Sequence, residues 1–139
     1  SPDGESIAFQ SDRSGNEEIY VLEVATGEER RITAVEGRDG WPAWSPDGQR
    51  LLFFSERDGV SALYLWEAAT DRQSRLTDLD ASSFFGAWSP DGSEIVFSRE
   101  LDEHNDWSLW RIRADGSGLR RFHSSDARDF QAHWGCVRE

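Results

Sequence analysis

The tetrapeptide Ser1-Pro2-Asp3-Gly4 returns as Ser45-Pro46-Asp47-Gly48 and again as Ser89-Pro90-Asp91-Gly92, a shift of 44 residues each time. A fixed period of this length marks a repeat architecture, in which each unit buries its apolar faces only against its neighbours. Trp44 and Trp88 precede the second and third copies, and Trp134 follows after a further 46 residues, with Gly135 in place of the Ser. The units therefore run over residues 1–44, 45–88 and 89–134, within a single segment covering 1–139.

Each unit carries the same internal pattern. Pro sits where a turn needs a fixed φ and Gly where φ turns positive, so Ser-Pro-Asp-Gly closes a tight hairpin with strands on both sides. The strands that follow are Ile7-Ala8-Phe9, Leu51-Leu52-Phe53 and Ile95-Val96-Phe97, then Ile19 to Leu22, Leu63 to Trp66 and Leu109 to Ile112. A last short strand is expected at Ile32-Thr33, Leu76-Thr77 and Phe122-His123. All are β-branched, aromatic or aliphatic and bounded by Gly, Asp, Asn or Ser. With the strand that ends in Trp, each unit holds four antiparallel strands. Four strands in a period of about 40–45 residues describe a β-propeller blade, and no stretch keeps the 3.6-residue period of a helical solenoid. The fold class is all-β. The third unit departs from the others in a longer loop, Glu100 to Asp106, and a rearranged last turn, Asp115-Gly116-Ser117-Gly118.

Trp-Ser-Pro-Asp-Gly, Ile-x-Phe-x-Ser, and the run Ser11-Asp12-Arg13-Ser14-Gly15-Asn16-Glu17-Glu18-Ile19-Tyr20 resemble the TolB-like, WD-repeat-like propeller family. The likeness covers nearly the whole chain. It implies a six-bladed ring and a periplasmic or other extracytoplasmic location, while blades of this kind serve both in binding proteins and in the gating propellers of prolyl-oligopeptidase-like enzymes.

Charge narrows the functional classes. Fifteen Lys and Arg against 27 Asp and Glu give a net charge of −12, which repels nucleic-acid phosphates and anionic membrane surfaces. No apolar run approaches the roughly 20 residues of a transmembrane helix. Cys136 is the only cysteine, so neither an intramolecular disulfide nor a Cys metal cluster is expected. The chain lacks Gly-x-Ser-x-Gly, and a peptidase of the resembled kind would carry its nucleophile on a separate α/β domain. No catalytic residue, metal or cofactor is expected. His104, His123 and His133 are scattered and read as surface or interface residues, and the acidic loop with Asp102, Glu103, Asn105 and Asp106 reads as a solvated hairpin.

Asp3, Asp47 and Asp91 recur in every unit and read as turn formers, and Trp44, Trp88 and Trp134 as packing between blades. A binding site must be singular, so departures from the repeat are more informative. Five, three and one residues before each Trp stand Asp39, Trp41 and Ala43, then Ser83, Phe85 and Ala87, then Asp129, Gln131 and His133. Alternate strand positions point the same way, and inner strands surround a propeller's channel. Arg38, Asp39, Trp41, Phe85, Arg128, Asp129, Gln131 and His133 are thus the candidate ligand contacts at the channel mouth, for a protein or peptide. The alternative is the gating propeller of a larger peptidase-like or polysaccharide-processing enzyme.

Residue 1 lies inside a repeat, so the chain reads as an excised or processed segment whose first blade lacks its Trp-ending strand, while residues 130–134 form such a strand without a blade. The expectation is a homodimer closing a six-bladed ring by exchanging that strand, with a fragment of a longer single-chain propeller as the alternative.

Overall fold

The turn that closes each unit is built by its own side chains. In the computed structural model, which describes residues 1–101, 107–123, 125, 128–129 and 131–134, Gly4, Gly48 and Gly92 take φ values of 76°, 68° and 70°. Their N–H groups donate to the carbonyls of Ser1, Ser45 and Ser89 at 3.0, 2.9 and 2.9 Å. Each Ser hydroxyl accepts an N–H from five residues on, at Ser6, Arg50 and Glu94, 2.9 Å in every case. The Asp carboxylates accept the N–H groups of Glu5, Gln49 and Ser93 at 3.0 Å, so the turn-forming role of Asp3, Asp47 and Asp91 holds.

Eleven strands follow in order among the described residues: β1 (Ser6–Ser11), β2 (Glu18–Glu23), β3 (Glu29–Arg31), β4 (Asp39–Trp44), β5 (Arg50–Ser55), β6 (Ala62–Glu67), β7 (Arg72–Arg75), β8 (Ser82–Trp88), β9 (Glu94–Glu100), β10 (Trp107–Arg113) and β11 (Arg120–His123). They form three antiparallel sheets, ordered β1-β2-β3, β4-β5-β6-β7 and β8-β9-β10-β11. The chain is therefore all-β, a partial propeller whose Trp-ending strands pair forward with the strand after the turn: Trp44 stands opposite Leu51 and Trp88 opposite Ile95. The first sheet has three strands, as expected from a first unit that begins inside its turn.

Two expected boundaries shift. The outermost strands of the first two sheets end at Arg31 and Arg75, ahead of Ile32-Thr33 and Leu76-Thr77. Those pairs turn inward instead, and the Thr33 and Thr77 hydroxyls accept the N–H groups of Ile19 and Leu63 at 2.9 and 3.0 Å. The Ile32 and Leu76 N–H groups still donate to the Ile19 and Leu63 carbonyls at 2.8 Å, but the Thr hydroxyl takes the N–H that the next carbonyl of the ladder would have received, so regular pairing stops there. Residues 131–134 carry no strand pairing, and Phe130 lies outside the described residues. The tip of the acidic loop, His104 and Cys136 lie outside them too.

The core consists of interfaces between sheets. Along β5, Leu51 and Phe53 enter one apolar cluster with Ile19, Ile32, Tyr64 and Trp66, and Leu52 and Phe54 enter another with Leu63, Trp88, Ile95 and Phe97. Period-two alternation thus buries the middle sheet on both faces. The end faces differ: Ile7 of β1 is 51% exposed and Phe122 of β11 is 60% exposed.

Trp88 is a true inter-sheet residue. It is 8% exposed, its indole N–H donates to the carbonyl of Ala43 in the preceding sheet at 3.1 Å, and Arg50 stacks 4.7 Å from its ring. Trp44 is only half-buried, packed edge-on against Trp66 of its own sheet, and Trp134 is 38% exposed. Trp44 falls short of Trp88 because Trp88 leans on the Trp-ending strand of the sheet before it, and no such strand stands beside β1 among the described residues.

Candidate functional site

The terminal strands β4 and β8 carry a break in register, between Gly40 and Ala43 and between Phe84 and Ala87. Within each break one bulky residue has positive φ: Trp41 at 50° and Phe85 at 53°. Gln131, at the equivalent place in the third unit, has φ 57°. A non-glycine residue in this region is disfavoured by about 1 kcal/mol or more, and a neighbouring sheet must hold it there. Gln10 of β1 does so for Trp41, accepting its N–H at 2.9 Å, and Ser98 of β9 accepts the N–H of Gln131 at 3.1 Å. Gln10, Phe54 and Ser98 occupy the same repeat position, so two of the three bulges meet a side-chain acceptor there and the second unit carries a ring in its place.

This bulge overturns the assumption that alternate positions point one way. Asp39 and Ser83 are fully buried, at 0% exposure, while Trp41, two residues after Asp39, is 41% exposed. The bulge rotates the chain between them, so Asp39 faces the interface with the first sheet and Trp41 faces outward. Asp39 is therefore removed from the candidate contacts. Its carboxylate oxygens meet no donor at good hydrogen-bond geometry among the described residues, with Arg57 Nη2 at 3.5 Å. The Thr33 and Ser55 hydroxyls lie beside it, and both already accept an N–H, from Ile19 and Arg57 respectively, so their protons are free to face the carboxylate. Burial pushes the Asp39 carboxyl above its ordinary value against the opposing pull of Ser55, Thr33 and Arg57.

Of the remaining candidates, the fold brings two together. The Trp41 and Phe85 rings meet at 4.2 Å between centroids, where β4 and β8 approach each other. Behind them stand Phe54, 4.7 Å from Trp41, and Phe84, with Trp107 5.4 Å from Phe84. Stacked and tilted pairs at these separations are favourable beyond their area burial. The sequence reading missed Phe54, Phe84 and Trp107. The signal was available, since Phe54 replaces a polar residue found at that position in both other units. Gly40 completes the packing: a Cβ there would lie 2.5 Å from Phe54 and 2.8 Å from Gln10 Oε1.

The other candidates lie apart from the aromatic cluster. Arg38 is exposed and bound to Glu17 at 2.6 Å, which raises its affinity for its proton. Asp129 accepts the Ser125 hydroxyl at 3.0 Å and has His123 Nε2 at 3.8 Å. Arg128 and Gln131 are exposed. His133 borders a hollow of about 160 Å³ with Val96, Phe122 and Trp134 on the end face, and a second of about 330 Å³ with Ala43, Ala87 and Trp88, neither of which Trp41 lines. Among the described residues no group of three or more His, Cys, Asp or Glu is arranged to hold a metal ion, and no helix is long and apolar enough to cross a membrane.

The likeness to known propellers follows this geometry. A putative TolB from Agrobacterium tumefaciens is 29% identical, with a TM-score of 0.79 over 87% of this chain and 46% of that one. TolB from Acinetobacter baumannii is 24% identical, with a TM-score of 0.81 over 94% of this chain and 32% of that one. The tricorn protease shares the fold at 19% identity and a TM-score of 0.69, over 85% of this chain and 12% of its own. This chain thus spans about half and about one third of the two TolB chains. No curated protein matches it at a significant level. The family model of the TolB beta propeller domain matches residues 1–129, and with the repeated turn, the four-stranded sheets and the Trp-ending strands all in register, the chain belongs to that family.

Proposed function

We propose that this chain is a non-catalytic propeller module that binds a protein or peptide segment through an apolar anchor seated on Trp41 and Phe85. The observation that carries the reading is the exposed Trp41, at positive φ with its N–H on Gln10 and packed against the rings of Phe54, Phe84 and Phe85. Exposed aromatic clusters on a rigid sheet edge are the usual anchors of recognition, because they offer large contact area at small entropic cost. The net charge of −12 favours a partner that is basic around its apolar anchor.

The test is selection of displayed random peptides on the intact chain, followed by binding to Trp41→Ala and Phe85→Ala. Selected peptides are expected to be rich in aromatic, aliphatic and basic residues and to lose at least tenfold in affinity on either variant. Peptides that bind the double variant as well as the parent protein would refute the reading. Because Trp41 is 41% exposed, its truncation leaves the fold intact, which circular dichroism verifies.

A further inference from the structure

The Trp41 bulge is met by an amide, and an amide has a right and a wrong way round. The Trp41 N–H donates to Gln10 Oε1 at 2.9 Å, whereas the Gln131 N–H donates to the Ser98 hydroxyl at 3.1 Å. A hydroxyl accepts whichever way its proton turns. A glutamine side chain accepts only through its oxygen, and turned over it would set its NH2 against the Trp41 N–H, donor against donor. The bulge therefore needs something that keeps the Gln10 oxygen toward Trp41.

Glu17 stands on the other side of that amide, with its Oε1 3.4 Å from Gln10 Nε2. The distance is long for a hydrogen bond, but an ionised carboxylate has only acceptors to offer, so it draws the NH2 and repels the oxygen. That decides the orientation. Glu17 is itself tied to the approach of β4 at two points. Its Oε2 accepts the Arg38 Nε–H at 2.6 Å, and its backbone carbonyl accepts the Asp39 N–H at 2.9 Å. The carbonyl of Arg38 in turn accepts the Glu56 N–H at 3.0 Å. One residue thus grips the chain ahead of the bulge through Arg38 and Asp39, and reaches past it to Trp41 through Gln10. Gly40 leaves the space this requires, since a Cβ there would lie 2.8 Å from Gln10 Oε1.

The set is singular within the repeat. Where the first unit has Gln10, Glu17 and Arg38, the second has Phe54, Ser61 and Ser82, and the third has Ser98, Trp107 and Arg128. A contact that every blade needed in order to fold would recur, as the turn serines do. The Arg38 and Glu17 side chains are also 56% and 32% exposed, and an ion pair so open to water contributes little to stability. What distinguishes the bulge they serve is the exposed ring it carries.

We infer that Glu17, acting through Gln10, is the positioning residue that keeps Trp41 at φ 50° with its ring turned outward. Arg38 keeps the Glu17 carboxylate in place. The consequence for binding rests on the reading of Trp41 as the anchor: a ring already held where a partner seats on it gives up less freedom on binding.

The charge-conserving exchange of Gln10→Glu with Glu17→Gln tests the inference. In Glu17→Gln alone, the introduced amide gives its oxygen to Arg38 and its NH2 to Gln10, which then turns its own oxygen away from Trp41. In Gln10→Glu alone, two carboxylates face each other. In the exchange, position 10 again presents an acceptor to Trp41 and meets an NH2 from position 17. The readout is fluorine NMR of the chain labelled with 5-fluorotryptophan, where the Trp41 signal is the one that disappears in Trp41→Phe, and circular dichroism verifies that each variant is folded. The Trp41 line is expected to shift or broaden in both single variants and to return to the parent position in the exchange. Toward peptides selected on the parent chain, both single variants are expected to lose about fivefold or more in affinity, and the exchange to recover it. A role through charge alone predicts otherwise, because Gln10→Glu would then tighten the binding of a basic peptide.

A Trp41 line that Glu17→Gln leaves unmoved, or that the exchange does not restore, overturns the inference. Should the exchange not fold, Glu17→Gln decides the point, since it alters a side chain open to solvent. The fluorine signal needs no ligand, so the two readings fail separately. If the line follows this pattern while no peptide depends on Trp41, the positioning role stands and the anchor reading falls; if peptides depend on Trp41 but neither they nor the line respond to Glu17→Gln, the positioning role falls and the anchor reading stands.

Discussion

Replacing Trp88 by Ala tests the packing that joins the middle and third sheets. The side chain is 8% exposed, and a buried Trp removes roughly 200 Å² from water, which at about 25 cal/mol/Å² is on the order of 5 kcal/mol. The unfolded chain already hides part of that area, so the expected loss lies at about 3–5 kcal/mol, in line with other large-to-small aromatic truncations. The substitution also strips the Ala43 carbonyl of its donor and removes the stacking partner of Arg50. Trp88→Phe separates these terms. It keeps most of the area and loses the indole N–H, for an expected cost of about 1–2 kcal/mol. Both are read from urea unfolding followed by far-UV circular dichroism, a probe that does not depend on one of seven Trp. Protein concentration is held constant, since any self-association shifts the midpoint. If Trp88→Ala lowers stability by less than about 1 kcal/mol at unchanged m-value, the Trp-ending strands do not carry the inter-sheet packing assigned to them.

Three further outcomes are expected. Asp39 has its carboxyl raised by burial, so its contribution to stability is complete below about pH 4 and fades as pH rises through the raised value; Asp39→Asn, which does not titrate, should gain on the parent protein between pH 4 and pH 8 in paired urea titrations. A difference that stays flat with pH, or that moves the other way, counts against this account of the site. The Ser89 hydroxyl and Ser93 hold Asp91 down at about 2, and the Asp3 and Asp47 carboxyls are lowered by their turn serines, so these turns keep their support down to acid pH; Ser45→Ala, which takes a fully buried hydroxyl from both Arg50 N–H and Asp47, should cost about 1–2 kcal/mol by thermal melting. Finally, the chain alone is expected to hydrolyse neither peptides nor esters in continuous chromogenic assays, and turnover abolished by a single substitution at Ser45, Ser89 or His133 would disprove the non-catalytic reading.

The repeat was legible because its cause is local. Ser-Pro-Asp-Gly fixes a turn through its own φ values and side-chain hydrogen bonds, and the aliphatic runs on either side fix the strands, so 44-residue spacing alone led to four-stranded blades and to a first sheet one strand short. What the sequence could not yield was the direction of side chains past a bulge. The bulge at Trp41 is met by Gln10, 31 residues earlier and in another sheet, and across that bulge Asp39 is buried while Trp41 turns outward. The gathering of Trp41, Phe54, Phe84, Phe85 and Trp107 likewise joins residues from four strands in two sheets, which no spacing along one strand encodes. Local backbone chemistry determined the repeat; contacts between sheets decided which of its departures face solvent and which are sealed inside.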